Sequence, residues 1–335
     1  MTLSINNNLL SVDNLPDTYA VALNNYSAIS LSGEEQSKYL QGQVTCDVND
    51  LKESALSIGA HCDAKGKVIS VFRLINRSGA HLLIQPIESL QPSLAALNKF
   101  GVFAKVEITQ TTQLAMYALI GDQSSELLQQ AFGQVPDSLS PTIEIGSTSL
   151  VYIAGQQSRY LVIDEAEKAE ALMLTLTTKA ALTTFGQAVW NLSEINEGFP
   201  ILAEQSVLHY VPQMLNLQAI HGICFTKGCY IGQETVARMQ YLGKNKRALF
   251  TVSSIESGYT SGDGDDILAG DIIEQQLGEN WRKAGEVLTS YTCGTISIQA
   301  VLASDLNEST VLRLKKQPET LLTVKALPYS LENKE

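Results

Sequence analysis

The sequence is short of cations, has no long apolar run and offers no paired cysteines, and each shortage excludes something. Lysine and arginine number 23 against 35 acidic residues, for a formal charge of -12. Such a chain repels a phosphate backbone unless its cations gather on one face, so broad nucleic-acid binding is disfavoured. No apolar run approaches the roughly 18 residues that a membrane span requires. No lysine or arginine precedes Lys38, so a basic signal-peptide region is missing too. A cytoplasmic protein with no membrane partner is expected. Five scattered cysteines, Cys46, Cys62, Cys224, Cys229 and Cys293, form an odd set in a chain too long to need staples, and read as free thiols in a reducing compartment.

What remains is an ordinary globular composition, 44% apolar and 17% charged over 335 residues, enough for about two domains or three small ones. Residues 19–31 read as one or two strands. Ser32 and Glu35 have capping-box spacing, which predicts a helix running through Tyr39 and Leu40 to about Gly42, with an extended stretch at 43–48. Residues 55–62, 67–75 and 80–85 predict an antiparallel meander, followed by a helix at 90–100 bearing Leu94, Leu97 and Phe100 on one side, then a strand at 102–108. A second block has strands at 116–120, 149–154 and 160–163. Its helices are expected at 124–132 and after Asp164, the second capped by Asp164 with Leu172 and Leu174 on its apolar side. Residues 190–195 read as helical, broken by Gly198-Phe199-Pro200. Short β-branched runs at 247–253, 267–273, 284–289, 295–300 and 311–314 read as a small all-β barrel or sandwich.

The densest chemistry lies in Lys227-Gly228-Cys229-Tyr230-Ile231-Gly232-Gln233-Glu234, ahead of a predicted helix at 233–241. A thiolate is stabilised by a nearby cation or a helix N-terminus, and Lys227 stands two residues from Cys229. The glycines allow close backbone approach or φ > 0. The plain alternative is a small residue in a tight turn, and pattern alone does not separate a nucleophile from a thiol that merely contacts a ligand. No metal is expected: His221, Cys224 and Cys229 lack the second ligand pair of a zinc site, and Asp263-Gly264-Asp265-Asp266 fails the calcium-loop spacing. His61-Cys62-Asp63 cannot form a relay on a strand, because neighbours point to opposite faces. Ala64-Lys65-Gly66-Lys67 reads as a hairpin turn with a basic tip. Lys227, Arg238, Lys244, Lys246 and Arg247 against Glu234 make a local excess of cations, either an anion-attracting patch or a solvated helix face and loop.

The 227–234 stretch resembles the signature of the folate-binding YgfZ proteins, tRNA-modifying relatives of the aminomethyltransferase (T-protein) of the glycine cleavage system. Lys38-Tyr39-Leu40-Gln41-Gly42-Gln43-Val44-Thr45, His61-Cys62-Asp63-Ala64-Lys65-Gly66-Lys67, Asn216-Leu217-Gln218-Ala219, Asn245-Lys246-Arg247-Ala248-Leu249 and Leu327-Pro328-Tyr329-Ser330-Leu331-Glu332 resemble the same family. The resemblance implies an α+β, aminomethyltransferase-like multi-domain fold with antiparallel sheets, helices and a small C-terminal β-barrel around a central channel. Its expected parts are 1–113 plus 190–245, 114–189, and 246–330.

The resemblance further implies tetrahydrofolate as cofactor and support of tRNA modification and of iron–sulfur enzymes as the role. Those enzymes would be indirect or transient partners, with direct tRNA contact left open. A folate-dependent one-carbon transferase is the alternative. The implied folate-site residues are Tyr26, Trp190, Asn196, Glu197, Lys227, Gly228, Tyr230, Gly232, Gln233 and Glu234, with Cys229 as the candidate reactive group. Tyr26 stands where relatives usually have tryptophan. Asn196 stands where they have glutamate, so the pterin contact must change or pass to Glu194 or Glu197. No acid aligns with the general acid/base of the T-protein.

Overall fold

A computed structural model describes residues 2–243, 245–255 and 266–331. Its first half contains β1 (Thr18–Ala22), β2 (Tyr26–Ser32), α1 (Gln36–Gln41), β3 (Leu56–Cys62), β4 (Val68–Arg77), β5 (Ala80–Pro86), α2 (Ile87–Gly101) and β6 (Glu107–Gln110). Then come β7 (Leu114–Gly121), α3 (Ser124–Phe132), β8 (Thr142–Ile145), β9 (Thr148–Ile153), β10 (Arg159–Glu165), α4 (Ala166–Ala180), β11 (Thr184–Phe185), α5 (Gln187–Asn196) and α6 (Gln233–Tyr241). The C-terminal part is β12 (Arg247–Ser254), β13 (Ile272–Leu277), β14 (Asn280–Cys293), β15 (Thr295–Ala303), β16 (Leu312–Leu314) and β17 (Gln317–Lys325).

These strands make a five-stranded sheet, β3-β4-β5-β2-β6, a six-stranded sheet, β11-β1-β7-β10-β9-β8, and a closed barrel, β12-β15-β14-β13-β16-β17. The expected α+β fold with its C-terminal barrel is therefore present. β1 pairs with β7 and not with β2, so the chain's first strand belongs to the six-stranded sheet.

Alternation along the strands sets the layers. Tyr19 and Val21 of β1, Ala28 of β2, Ile75 of β4, Ile84 of β5 and Ala118 of β7 share one core between the two sheets. Ala20 and Leu119 point the other way, onto Met173 and Leu176 of α4 and Leu128 of α3. Phe72 and Leu74 of β4 face Leu90 and Leu97 of α2. Helices thus cover both outer faces, and Arg73, between Phe72 and Leu74, is directed to the inter-sheet side. That single register step carries a buried charge to the middle of the molecule.

Several local expectations fail for tertiary reasons. Ser32 is held in β2 opposite Glu107, so it caps nothing. α1 starts only at Gln36, and Glu35 instead accepts hydrogen bonds from the Lys105 backbone N–H at 2.9 Å and Lys38 Nζ at 3.2 Å. Residues 43–48 contribute one isolated bridge, Val44 to His61. Val102 and Phe103 are exposed in a turn before β6, and Phe100 is half-exposed. Asp164 lies within β10, its carboxylate taken by the Thr148 hydroxyl at 2.6 Å and the Glu165 N–H at 2.8 Å. α4 buries Ala169, Met173 and Leu176, with Leu172 partly buried against the same core. The barrel needs β17, a strand that its charged and polar residues conceal from pattern reading. Asp263-Gly264-Asp265 lie outside the described residues.

Candidate functional site

The 227–234 stretch is a loop sewn to residues 42–46. Ile231 N–H donates to Gly42 O at 3.0 Å, Cys224 N–H to Thr45 O at 2.9 Å, and the buried Thr45 hydroxyl to Gly222 O at 2.6 Å. Lys227 is buried, and its ammonium donates to Val44 O at 2.9 Å and Cys46 O at 2.6 Å, 5.2 Å from the Tyr230 ring centre. Burial pushes its pKa down, with Cys46, Asp47 and Cys224 acting in the other direction. Lys227 is thus a clamp on two carbonyls, and it leaves the predicted surface patch. Arg238, Lys246 and Arg247 are exposed, while Lys244 lies outside the described residues. Replacing Lys227 by methionine strands two buried carbonyls, and an unfolding free energy lower by about 2 kcal/mol is expected in urea titration.

Gly232 caps α6 at φ +85°, and a Cβ there would sit 2.5 Å from Asp63 O and 2.9 Å from Gly66 Cα. Gly66, at φ +73°, turns the β3–β4 hairpin, where Asp63 Oδ1 accepts the Lys65 and Lys67 N–H groups. Two of the motifs therefore dock backbone to backbone, which only glycine permits. Gly232→Ala combines left-handed strain with a clash, for an expected loss of about 1–3 kcal/mol, checked by the same titration. Gly228 and Cys229 are exposed, Tyr230 is buried, Gln233 begins α6, and Glu234 faces solvent 3.8 Å from Arg238.

The predicted aromatics meet elsewhere. Tyr26 and Trp190 pack edge to face at 6.3 Å between the sheets. The Tyr26 hydroxyl and the Trp190 indole nitrogen face each other without completing a well-formed hydrogen bond. Above Trp190 lies an ion triad that pattern reading missed. The fully buried Glu194 carboxylate accepts from Arg73 Nη2 at 2.8 and 3.0 Å and from Arg159 Nη1 at 2.7 Å. Both guanidinium carbons lie within 6 Å of the Trp190 ring centre, at 5.8 and 5.5 Å, and Arg73 stacks on Phe199 at 3.7 Å.

Arg73, Arg159, Glu197, Phe199, Gly155, Gln156, Pro328 and Tyr329 line a cavity of about 560 Å³ together with Ile58 and Ile220. Glu197 accepts the Gln156 N–H at 2.7 Å, and the Tyr329 hydroxyl donates to Gly198 O at 2.7 Å. Burial raises the Tyr329 pKa to about 12. Asn196 is exposed and Glu194 is engaged by the arginines, which leaves Glu197 as the carboxylate of this wall. None of Lys227, Gly228, Cys229, Tyr230, Gly232, Gln233 or Glu234 lines the cavity. One signal would have exposed the triad: an arginine inside the apolar run of β4 and a glutamate on the apolar side of α5 need each other.

The comparisons agree with this architecture. A tRNA-modifying protein YgfZ from Colwellia psychrerythraea is 58% identical over 334 residues, covering 99% of both chains. The chain belongs to the YgfZ family. A YgfZ protein from Yersinia enterocolitica is 38% identical, with 96% of each chain covered, and the family description of the YgfZ beta-barrel domain matches residues 245–317. The crystal structure of the glycine cleavage system aminomethyltransferase T from Bartonella henselae superposes with a TM-score of 0.73 at 13% identity, over 94% of this chain and 86% of that one. At that identity the likeness is one of fold, and this YgfZ chain shares it from the first sheet to the barrel. Among the described residues no helix is long and apolar enough to cross a membrane, and no cluster of three metal-ligating side chains occurs.

Proposed function

We propose that this chain binds a tetrahydrofolate in the cavity beside the Arg73–Glu194–Arg159 triad, and thereby supports tRNA modification and the iron–sulfur enzymes that perform it in the cytoplasm. The carrying observation is the cavity wall. It is of the size of small-molecule sites, and it combines a carboxylate, two guanidiniums and aromatic rings. Arg159 Nε is buried with no hydrogen-bond partner among the described residues, an unanswered donor on a side chain that lines the cavity. Glu197 suits the donor edge of a pterin, Arg159 a carbonyl or carboxylate of the ligand, and Phe199 and Tyr329 its flat faces. Tetrahydrofolate supplies ring and side-chain nitrogens that carry a one-carbon unit. The names borne by the relatives support the tRNA role.

Titration with tetrahydrofolate is the test. Wild type binds, Glu197→Gln binds about tenfold more weakly, and wild type without affinity overturns the reading. Cys229→Ala, assayed for thiolated tRNA nucleosides in cells, decides the thiol's part. Retained folate binding with lost modification makes Cys229 chemically active, whereas normal values for both make it inert. A second reading, a one-carbon transferase, is favoured by the presence of Glu197 in the cavity, because such a reaction needs an acid or base near the folate nitrogens. Turnover of a methylene donor by wild type, abolished in Glu197→Gln, would support it.

A further inference from the structure

A second cavity, of about 930 Å³, opens between the β4–β5 turn, α1 and β8. Asn76 and His81 are direct cross-strand partners at the end of that hairpin, so their side chains share a face. Ser37 of α1 completes a line. The His81 Nε2 nitrogen lies 2.8 Å from Ser37 Oγ, and Nδ1 lies 2.7 Å from Asn76 Oδ1. All three residues line the cavity.

The proton positions follow from one further contact. Asn76 Nδ2 donates to Lys52 O at 3.2 Å, which fixes the amide with its oxygen towards His81. An oxygen acceptor there places the imidazole proton on Nδ1. Nε2 is then a lone pair, and the Ser37 hydroxyl must donate to it. Burial also lowers the His81 pKa, which favours the neutral ring. This is a serine with its general base in place and the base oriented by a third group.

We propose that Ser37, His81 and Asn76 form a nucleophilic site that cleaves small carboxylic esters or thioesters. Ser37 Oγ attacks the acyl carbon as its proton passes to His81 Nε2. The imidazolium then protonates the departing alkoxide or thiolate as the C–O or C–S bond breaks. Water, deprotonated by the same nitrogen, cleaves the acyl-serine, releases the carboxylic acid and restores the hydroxyl. The substrate class follows from the third member. A neutral amide stabilises the imidazolium less than a carboxylate would, which suits activated acyl groups and disfavours amides. Arg77 Nε, on the same wall, is buried without a partner among the described residues, and Lys52 lines the wall too. Of the two acids there, Glu144 already accepts the Ser78 N–H at 2.7 Å, while Glu53 also faces the cavity. Arg77 Nε is the unanswered donor of that wall, so an acyl or alcohol part that carries a hydrogen-bond acceptor such as a carboxylate fits it.

The alternative is a hydrogen-bonded pin that fastens α1 to the hairpin. A fluorophosphonate probe followed by peptide mass spectrometry separates the two in the intact protein. The adduct is expected on Ser37, and none in Ser37→Ala. His81→Gln is expected to slow labelling about 100-fold. Asn76 is a positioning residue, so Asn76→Ala should slow labelling about tenfold while Asn76→Asp equals or exceeds wild type, a rescue that a mere pin would not show. Hydrolysis of p-nitrophenyl succinate should exceed that of p-nitrophenyl butyrate and vanish in Ser37→Ala, with each variant's fold checked by thermal unfolding. A wild-type protein unlabelled at Ser37, or hydrolysis unchanged in Ser37→Ala, overturns the proposal.

Discussion

Replacing Glu194 by glutamine is expected to lower the unfolding free energy by about 3–5 kcal/mol. The side chains of Arg73 and Arg159 are only 4% and 2% exposed, and Glu194 is fully buried. Two guanidiniums that barely reach the cavity lose their shared carboxylate, and their desolvation is no longer offset. Burial already pulls the Arg159 pKa down, and Glu194 is the main group holding it up. The aromatic faces of Trp190 and Phe199 soften this only in part. Replacing all three by apolar residues, Arg73→Met, Arg159→Leu and Glu194→Leu, is expected to be far milder, because no charge is left behind. That triple variant should lose the folate affinity proposed above while keeping its fold. Urea unfolding of both variants checks the pair of outcomes. A glutamine variant within about 1 kcal/mol of wild type would mean that water reaches the triad.

Acidification should destabilise the protein through His61 before most carboxylates protonate. This histidine is 1% exposed, its Nδ1 2.9 Å from Ser93 Oγ, and burial lowers its pKa from 6.5 to about 4. Below about pH 6.5 the unfolded chain takes up a proton that the folded chain refuses. Stability therefore rises with pH across the window from 4 to 6.5 and is lost on descending it. The interval corresponds to about 3 kcal/mol. His61→Gln keeps a polar group facing Ser93 and has nothing to titrate, so its stability should be nearly flat where the wild type slopes. Equal slopes would show that other groups carry the acid limb. Asp164 and Glu286, both held low, begin to lose their contributions as the pH falls through their ordinary values and go on losing them below.

Pattern reading worked wherever a residue's role is set by its neighbours in sequence. The meander over β3, β4 and β5, the helix Ser124–Phe132 and the helix Gln233–Tyr241 are written in alternation, apolar spacing and flanking glycines. It failed where a distant strand claimed the residue. Ser32 has the chemistry of a cap, but Glu107 holds it in a sheet. Lys227 has the charge of an activator, yet two carbonyls near residue 45 bury it.

The sequence by itself determined the α+β class, the barrel tail, the family and the motifs, because these rest on local spacing and on residue strings that stand unchanged in any conformation. Only the tertiary structure decided which motifs meet. Tyr26 and Trp190 pack against each other, yet neither lines the cavity, and the 227–234 loop docks on the β3–β4 hairpin away from it. Arg73 and Arg159, from separate strands, line it instead and are joined behind the wall by the buried Glu194 of α5. Their convergence depends on strand register, since a one-residue step in β4 would turn Arg73 away from the sheet interface.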